Sequence, residues 1–103
     1  MVNINKINAI LSKNSESILS AQSFSERMER VYEILDSEFP KTTLASAVFG
    51  PITDMEDFME RTEIDQLLQI IRQSASAGQE YCATDPKYNS VLMLIYDFIK
   101  KHE

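Results

Sequence analysis

Apolar residues in this chain recur at spacings of three and four, and the runs open on helix-start signals. Ser23-Phe24-Ser25-Glu26 has the Ser-x-x-Glu form of a capping box, in which the serine hydroxyl accepts from the backbone N–H three residues on. Phe24, Met28, Val31, Tyr32 and Leu35 follow it on one helical face, as far as Glu38 and the stop at Pro40. The pattern predicts a helix, and the rest of the chain repeats it. Only two glycines and three prolines occur in 103 residues. Tight turns use those residues heavily, so their scarcity favours a few long elements over many short strands.

The other elements follow in the same way. From about Asn3 to Ser20, Ile4, Ile7, Ile10, Leu11, Ile18 and Leu19 form a stripe, with Asn14-Ser15 expected to break the helix or to recap it at Ser15. Lys41 to Phe49 reads as a short helix carrying Leu44, Ala47 and Val48, closed by Gly50-Pro51. Thr53-Asp54-Met55-Glu56 is a second capping box. The helix it opens carries Met55, Phe58 and Met59, a kink near Thr62, and then Ile64, Leu67, Leu68, Ile70 and Ile71. It is expected to end near Ser74 or to continue to Tyr81. Asp85-Pro86 starts the last helix, a good N-cap followed by proline at the first helical position, where its missing N–H costs nothing. Leu92, Ile95, Phe98 and Ile99 form its inner face, widened by Val91 and Leu94, and Lys100 and Lys101 suit its C-terminal dipole. The expected fold is all-α, one domain over residues 1–103, a compact bundle of four to five antiparallel helices.

Composition narrows the function classes. Apolar content of 44% and charged content of 25% fit a folded globule. No run approaches the roughly 18 apolar residues of a membrane span, and the first residues lack the apolar core of a secretion signal. One cysteine, Cys82, forms no internal disulfide, which suits a reducing cytoplasm. The net charge of −6 opposes direct contact with phosphate backbones. The expectation is therefore no nucleic acid and no membrane among the partners.

Catalytic constellations are hard to assemble from these residues. The single histidine, His102, stands next to the chain end, so Ser-His and Cys-His pairs lack a base. One cysteine and one terminal histidine do not make a zinc set, and isolated Gly50 and Gly78 do not make a phosphate loop. Glu56 with Glu60, and Glu60 with Glu63, have the spacing to share a face and hold a divalent cation, although solvated surface acids are the commoner outcome. Cys82 beside Tyr81 reads as a small buried or half-buried hydrophobe rather than a reactive thiol, and the methionines as core filler. No enzyme activity, cofactor or metal is expected.

What stands out is concentrated charge. Asp54, Glu56, Asp57, Glu60, Glu63 and Asp65 face a single Arg61, a local charge of −5. The helix dipole accounts for Asp54, Glu56 and Asp57, but it covers Glu60, Glu63 and Asp65 only if a second helix starts near Thr62. A second acidic surface, Glu26, Glu29, Glu33, Asp36 and Glu38, is expected to be partly neutralised by Arg27 and Arg30. Clustered carboxylates steer a basic partner into contact, and an acidic helical face matches a cleft built for phosphate.

The stretch Ala21-Gln22-Ser23-Phe24-Ser25-Glu26-Arg27 resembles the start of a helix in the colicin D type of bacterial immunity protein, and small helical immunity proteins of contact-dependent growth inhibition are similar in size and acidity. The resemblance implies a cytoplasmic protein that binds a cognate toxin, a nuclease acting on tRNA, and masks its basic active site. No functional residue is carried over by it. The expected contact residues, Asp54, Glu56, Asp57, Phe58, Glu60, Glu63 and Asp65, come from the charge clustering, with Phe58 or Tyr81 as an aromatic anchor. Two other readings stand beside this one: a homo-oligomeric adaptor or regulatory protein, with a second copy of the chain as partner, and a small carboxylate enzyme.

Overall fold

In a computed structural model, described here for residues 3–39 and 55–100 (side chains at 3–39 and 60–100), the chain is all-α. Helices α1 (Ile4–Lys13), α2 (Ser15–Leu19), α3 (Phe24–Glu38), α4 (Met55–Ala77) and α5 (Pro86–Lys100) follow in order. The expected short helix over Lys41–Phe49 and the capping box at Thr53 lie outside the described residues.

The helix ends have local causes. Asn3 caps α1 by accepting from the Lys6 N–H at 3.2 Å. The break falls at Asn14, whose side chain donates back to the Ile10 carbonyl at 2.8 Å, and α2 resumes at Ser15 without a side-chain cap. Ser23 caps α3 through the Glu26 N–H at 3.1 Å. Asp85 caps α5 through the Lys87 N–H at 3.1 Å, with Pro86 at the first helical position. Helix α4 runs unbroken through Thr62 and stops at Ala77. There Gly78 adopts φ +69°, the left-handed turn that ends many helices and that favours glycine.

The core is the inner stripe of each helix: Ile7 and Leu11, Ile18, Met28, Val31 and Leu35, Ile64, Leu67 and Ile71, and Val91, Leu92, Ile95 and Ile99. Tyr88 and Tyr96 join it, beyond the aliphatic face expected for α5, whereas Phe98 and Leu94 are only partly covered. Ile4 departs from its expected place. It sits in the first turn of α1 and is 42% exposed.

Side-chain contacts fix the helix directions. Arg61 meets the end of α3 at Asp36, Arg72 lies over Tyr32, and Gly78 faces Ser25, so α3 and α4 run antiparallel along their shared seam. Gln66 meets Tyr88 and Ser74 meets Tyr96, so α4 and α5 point the same way. It follows that α5 runs antiparallel to α3, and its C-terminal end accordingly meets the start of α3, Tyr96 at Phe24 and Ile99 at Arg27. Residues 78–85 carry the chain back along the bundle to make this possible.

Candidate functional site

The acidic residues expected to meet a partner fall into three groups. Asp54 lies outside the described residues. Glu56, Asp57 and Phe58 belong to α4, and their side chains are likewise outside the described ones. Glu60, Glu63 and Asp65 each hold a cation of the same chain. Glu60 accepts from Lys6 of α1 at 3.0 Å, Glu63 lies 3.7 Å from Lys87 of α5, and Asp65 lies 2.9 Å from Arg61 one turn back. Because α4 does not restart near Thr62, a helix dipole does not account for these three acids. Their cations do: Lys6 and Lys87 tie α4 to α1 and α5. Their exposure is graded, with side chains 29%, 17% and 55% accessible at Glu60, Glu63 and Asp65.

Arg61 is itself buried, at 6% exposure. It donates to the carbonyls of Asp36 and Phe39 at 3.0 and 2.7 Å and pairs closely with the Asp36 carboxylate. The last carbonyls of a helix have no partner within it, and a cation is favoured there by the dipole. Arg61 thus finishes the C-terminus of α3 and fastens it to α4.

The second acidic surface is different. Arg27 and Arg30 do not neutralise it, contrary to the expectation from sequence. Arg27 turns inward, 8% exposed, and donates to the carbonyls of Ala21 at 2.9 Å, Ile99 at 2.8 Å and Leu19 at 3.4 Å. Arg30 donates to the Ser17 carbonyl at 2.7 Å and the Ser20 hydroxyl at 3.1 Å. Both guanidiniums finish the C-terminal end of α2, where free carbonyls await donors. Glu26, Glu29 and Glu33 are left exposed on the outer face of α3, and no described cation pairs with them. Asp36 and Glu38, expected in the same row, do have cations, Arg61 and Lys13.

Glu29 and Glu33 stand on a ridge between two depressions. One, of about 250 Å³, lies on the seam with α4 and is lined by Tyr32, Arg72 and Ser76. The other, of about 340 Å³, lies towards α2 and is lined by Ser17, Arg30 and Glu26. Arg72 lies 5.6 Å from the Tyr32 ring centroid, a cation–π distance. Sequence spacing displays the Glu26-Glu29-Glu33 row plainly. It does not display where Arg27 points, because that depends on Ile99, far along the chain.

Among the described residues, no group of three or more Cys, Asp, Glu and His side chains is arranged to hold a metal ion, and no helix is long and apolar enough to cross a membrane. Cys82, expected as a buried or half-buried hydrophobe, is exposed, since Tyr81 and Ala83 take the inward positions on either side of it.

Compared with protein-family models, with curated proteins and with solved structures, the chain matches none. The stretch 21–27 has a structural use at four of its positions. Ala21 is buried, Ser23 caps α3, Phe24 stacks on Tyr96, and Arg27 finishes α2 and α5.

Proposed function

We propose that this protein acts by binding another protein, as an inhibitor of the toxin-immunity kind, and that it meets a basic partner through acidic helical faces. The observation that carries the reading is the open row Glu26, Glu29 and Glu33. The fold supplies two arginines within this segment and commits the hydrogen bonds of both to carbonyls and a hydroxyl near the ends of α2 and α5, not to the row. Glu29 and Glu33 are one turn apart, and like charges at that spacing destabilise a helix by about 0.2–0.5 kcal/mol. Three exposed carboxylates that form no ion pair with a described cation suit electrostatic steering towards a basic cleft.

The proposed contact surface centres on this row. Of the acids expected from the sequence, Asp65 is the most exposed described one, and Glu60 and Glu63 serve chiefly to join helices. Among the described residues the large exposed hydrophobics are Ile4 and Met93.

The test is protection in cells. The product of the reading frame preceding this gene is expressed with and without the protein, and survival is counted. Wild type is expected to protect and to co-purify with that product at low salt. The variant Glu26→Lys, Glu29→Lys, Glu33→Lys is expected to remain folded and to lose protection. Absence of any complex at low salt would sink the reading, and full protection by the triple variant would remove the row from it.

A further inference from the structure

Residues 80–83, between α4 and α5, are neither helix nor turn. Their exposure alternates: Tyr81 and Ala83 are half-buried, Glu80 and Cys82 exposed. Their hydrogen bonding alternates in step. The Tyr81 N–H donates to the Tyr96 hydroxyl at 3.0 Å, and that hydroxyl lies 3.1 Å from the Tyr81 carbonyl, which accepts from it. Two residues on, the Ala83 N–H donates to the Asn89 side-chain oxygen at 2.6 Å, and the Asn89 amide donates to the Ala83 carbonyl at 3.0 Å.

This is the pattern of one edge of a β-strand. In an antiparallel ladder every second residue exchanges both its N–H and its carbonyl with the neighbour on one side, and the residues between face the other side. Here Asn89 and Tyr96, two turns apart on α5, take the place of that neighbouring strand. By the same alternation the backbone groups of Glu80 and Cys82 would face the opposite edge, and among the described residues they make no hydrogen bond. The depression beside Tyr81, also lined by Arg72 and Gln73, gives room for a side chain of an added strand.

We propose that the strap 80–83 is a docking edge for an extended segment of another protein, which adds to it as a β-strand. This inference is independent of the toxin reading. A helix satisfies its own backbone groups and has none to offer such an edge. A second copy is opposed by its own charge of −6 against that of the first. Main-chain bonds would hold the segment, and its alternate side chains would set selectivity.

The experiment selects short peptides from a random phage-displayed library against the full chain, and then methylates the backbone nitrogens of the tightest peptide one at a time. Methylation is expected to weaken binding about tenfold at every second position and to leave the intervening positions nearly unchanged, since one lost hydrogen bond is worth about that factor. Amide resonances of Glu80 and Cys82 are expected to shift. Cys82→Pro, which deletes an outward N–H, is expected to weaken binding about tenfold, whereas Cys82→Ser keeps it. No selected peptide, peptides that map to the α3 face, a methylation scan without alternation, or association only between copies of the chain would each overturn the proposal. Strand addition by a peptide with no protection in the cell assay would leave this inference standing and the toxin reading fallen; the reverse result would separate them the other way.

Discussion

Replacing Arg27 with methionine keeps most of the packing of the side-chain stem and removes the guanidinium. Three carbonyls then lose their donor: Ala21, Ile99 and, more weakly at 3.4 Å, Leu19. A hydrogen bond to a charged group contributes about 1.5–3 kcal/mol, and an acceptor left buried costs about 1–3 kcal/mol. Relief of the buried charge offsets part of that loss, and the weak third bond adds little. We expect a net loss of about 2–4 kcal/mol, a large share of the 5–15 kcal/mol typical of a small domain. For a domain of this length each kcal/mol moves Tm by about 4–8 °C, so the melt should fall by about 10–25 °C. Circular dichroism melts and urea titrations measure it directly. Arg27→Lys should recover only part of the loss, because one ammonium has less reach than a forked guanidinium across carbonyls from two helices. A loss below about 0.5 kcal/mol would refute the reasoning, since it would mean that water serves these carbonyls as well as Arg27 does. The same variant has a second use. If Arg27 belongs to the fold and not to the contact surface, partner binding per folded molecule should be unchanged.

Other expectations follow from the same geometry. Glu33→Lys should stabilise the protein by about 0.5–1 kcal/mol at low salt, because it exchanges a repulsive i, i+4 pair with Glu29 for a Glu-to-Lys pair in the favourable order; the gain should vanish as salt rises. Tyr96→Phe should cost about 1–3 kcal/mol by stripping Tyr81 of both its partners, and should speed hydrogen exchange at the Tyr81 amide above all others in the strap. Burial holds the Tyr88 phenol above its ordinary pKa of 10.0, with Lys87 pulling the other way and Glu63 and Asp85 adding to the rise. Because the folded value is the higher one, the stability Tyr88 contributes is fully present below pH 10 and is lost as pH climbs towards the folded pKa; Tyr88→Phe should flatten that alkaline limb in melts taken across the range. Gly78→Ala should cost about 1 kcal/mol, from the left-handed φ of +69° and not from crowding, since the nearest atom to an added Cβ, the Ser25 hydroxyl, is at an ordinary 3.4 Å.

Much of the fold is local and therefore legible in the sequence. Caps act within three residues, so Ser23 and Asp85 announce α3 and α5 directly, and Asn14 marks the break between α1 and α2. Apolar spacing finds the stripes that meet in the core. What stays hidden depends on partners distant in the chain. Arg27 and Arg30 read as neutralisers of their neighbouring glutamates because sequence shows adjacency along a helix, whereas the carbonyls that hold them lie outside α3. Glu60 and Glu63 read as an excess of charge because Lys6 and Lys87 are far away in the chain, whereas the partner of Asp65, Arg61, stands one turn back. The strap 80–83 has no periodicity long enough to register, and it becomes visible only when Asn89 and Tyr96 stand beside it.

The charge on this chain is thus sorted, not spread. Each lysine and arginine among the described residues has a partner within the fold. Lys6, Lys13, Arg61, Lys87 and Lys100 hold carboxylates, Arg27 and Arg30 hold helix-end carbonyls, and Arg72 holds the Tyr32 ring. The acids outnumber these cations, so some must stand without one, and where they stand is a choice that packing does not force. Had the surplus been scattered, repulsion would be small everywhere and the charge would serve only solubility. Of the five described acids without a cation, Glu16 and Asp97 stand apart, and Glu26, Glu29 and Glu33 stand together on one face of α3, between two depressions, against the local preference of the helix. A single change at Glu33 is enough to relieve that repulsion, so a sequence shaped by stability alone would not keep the row. The outer face of α3 is therefore the first surface to test against a basic partner.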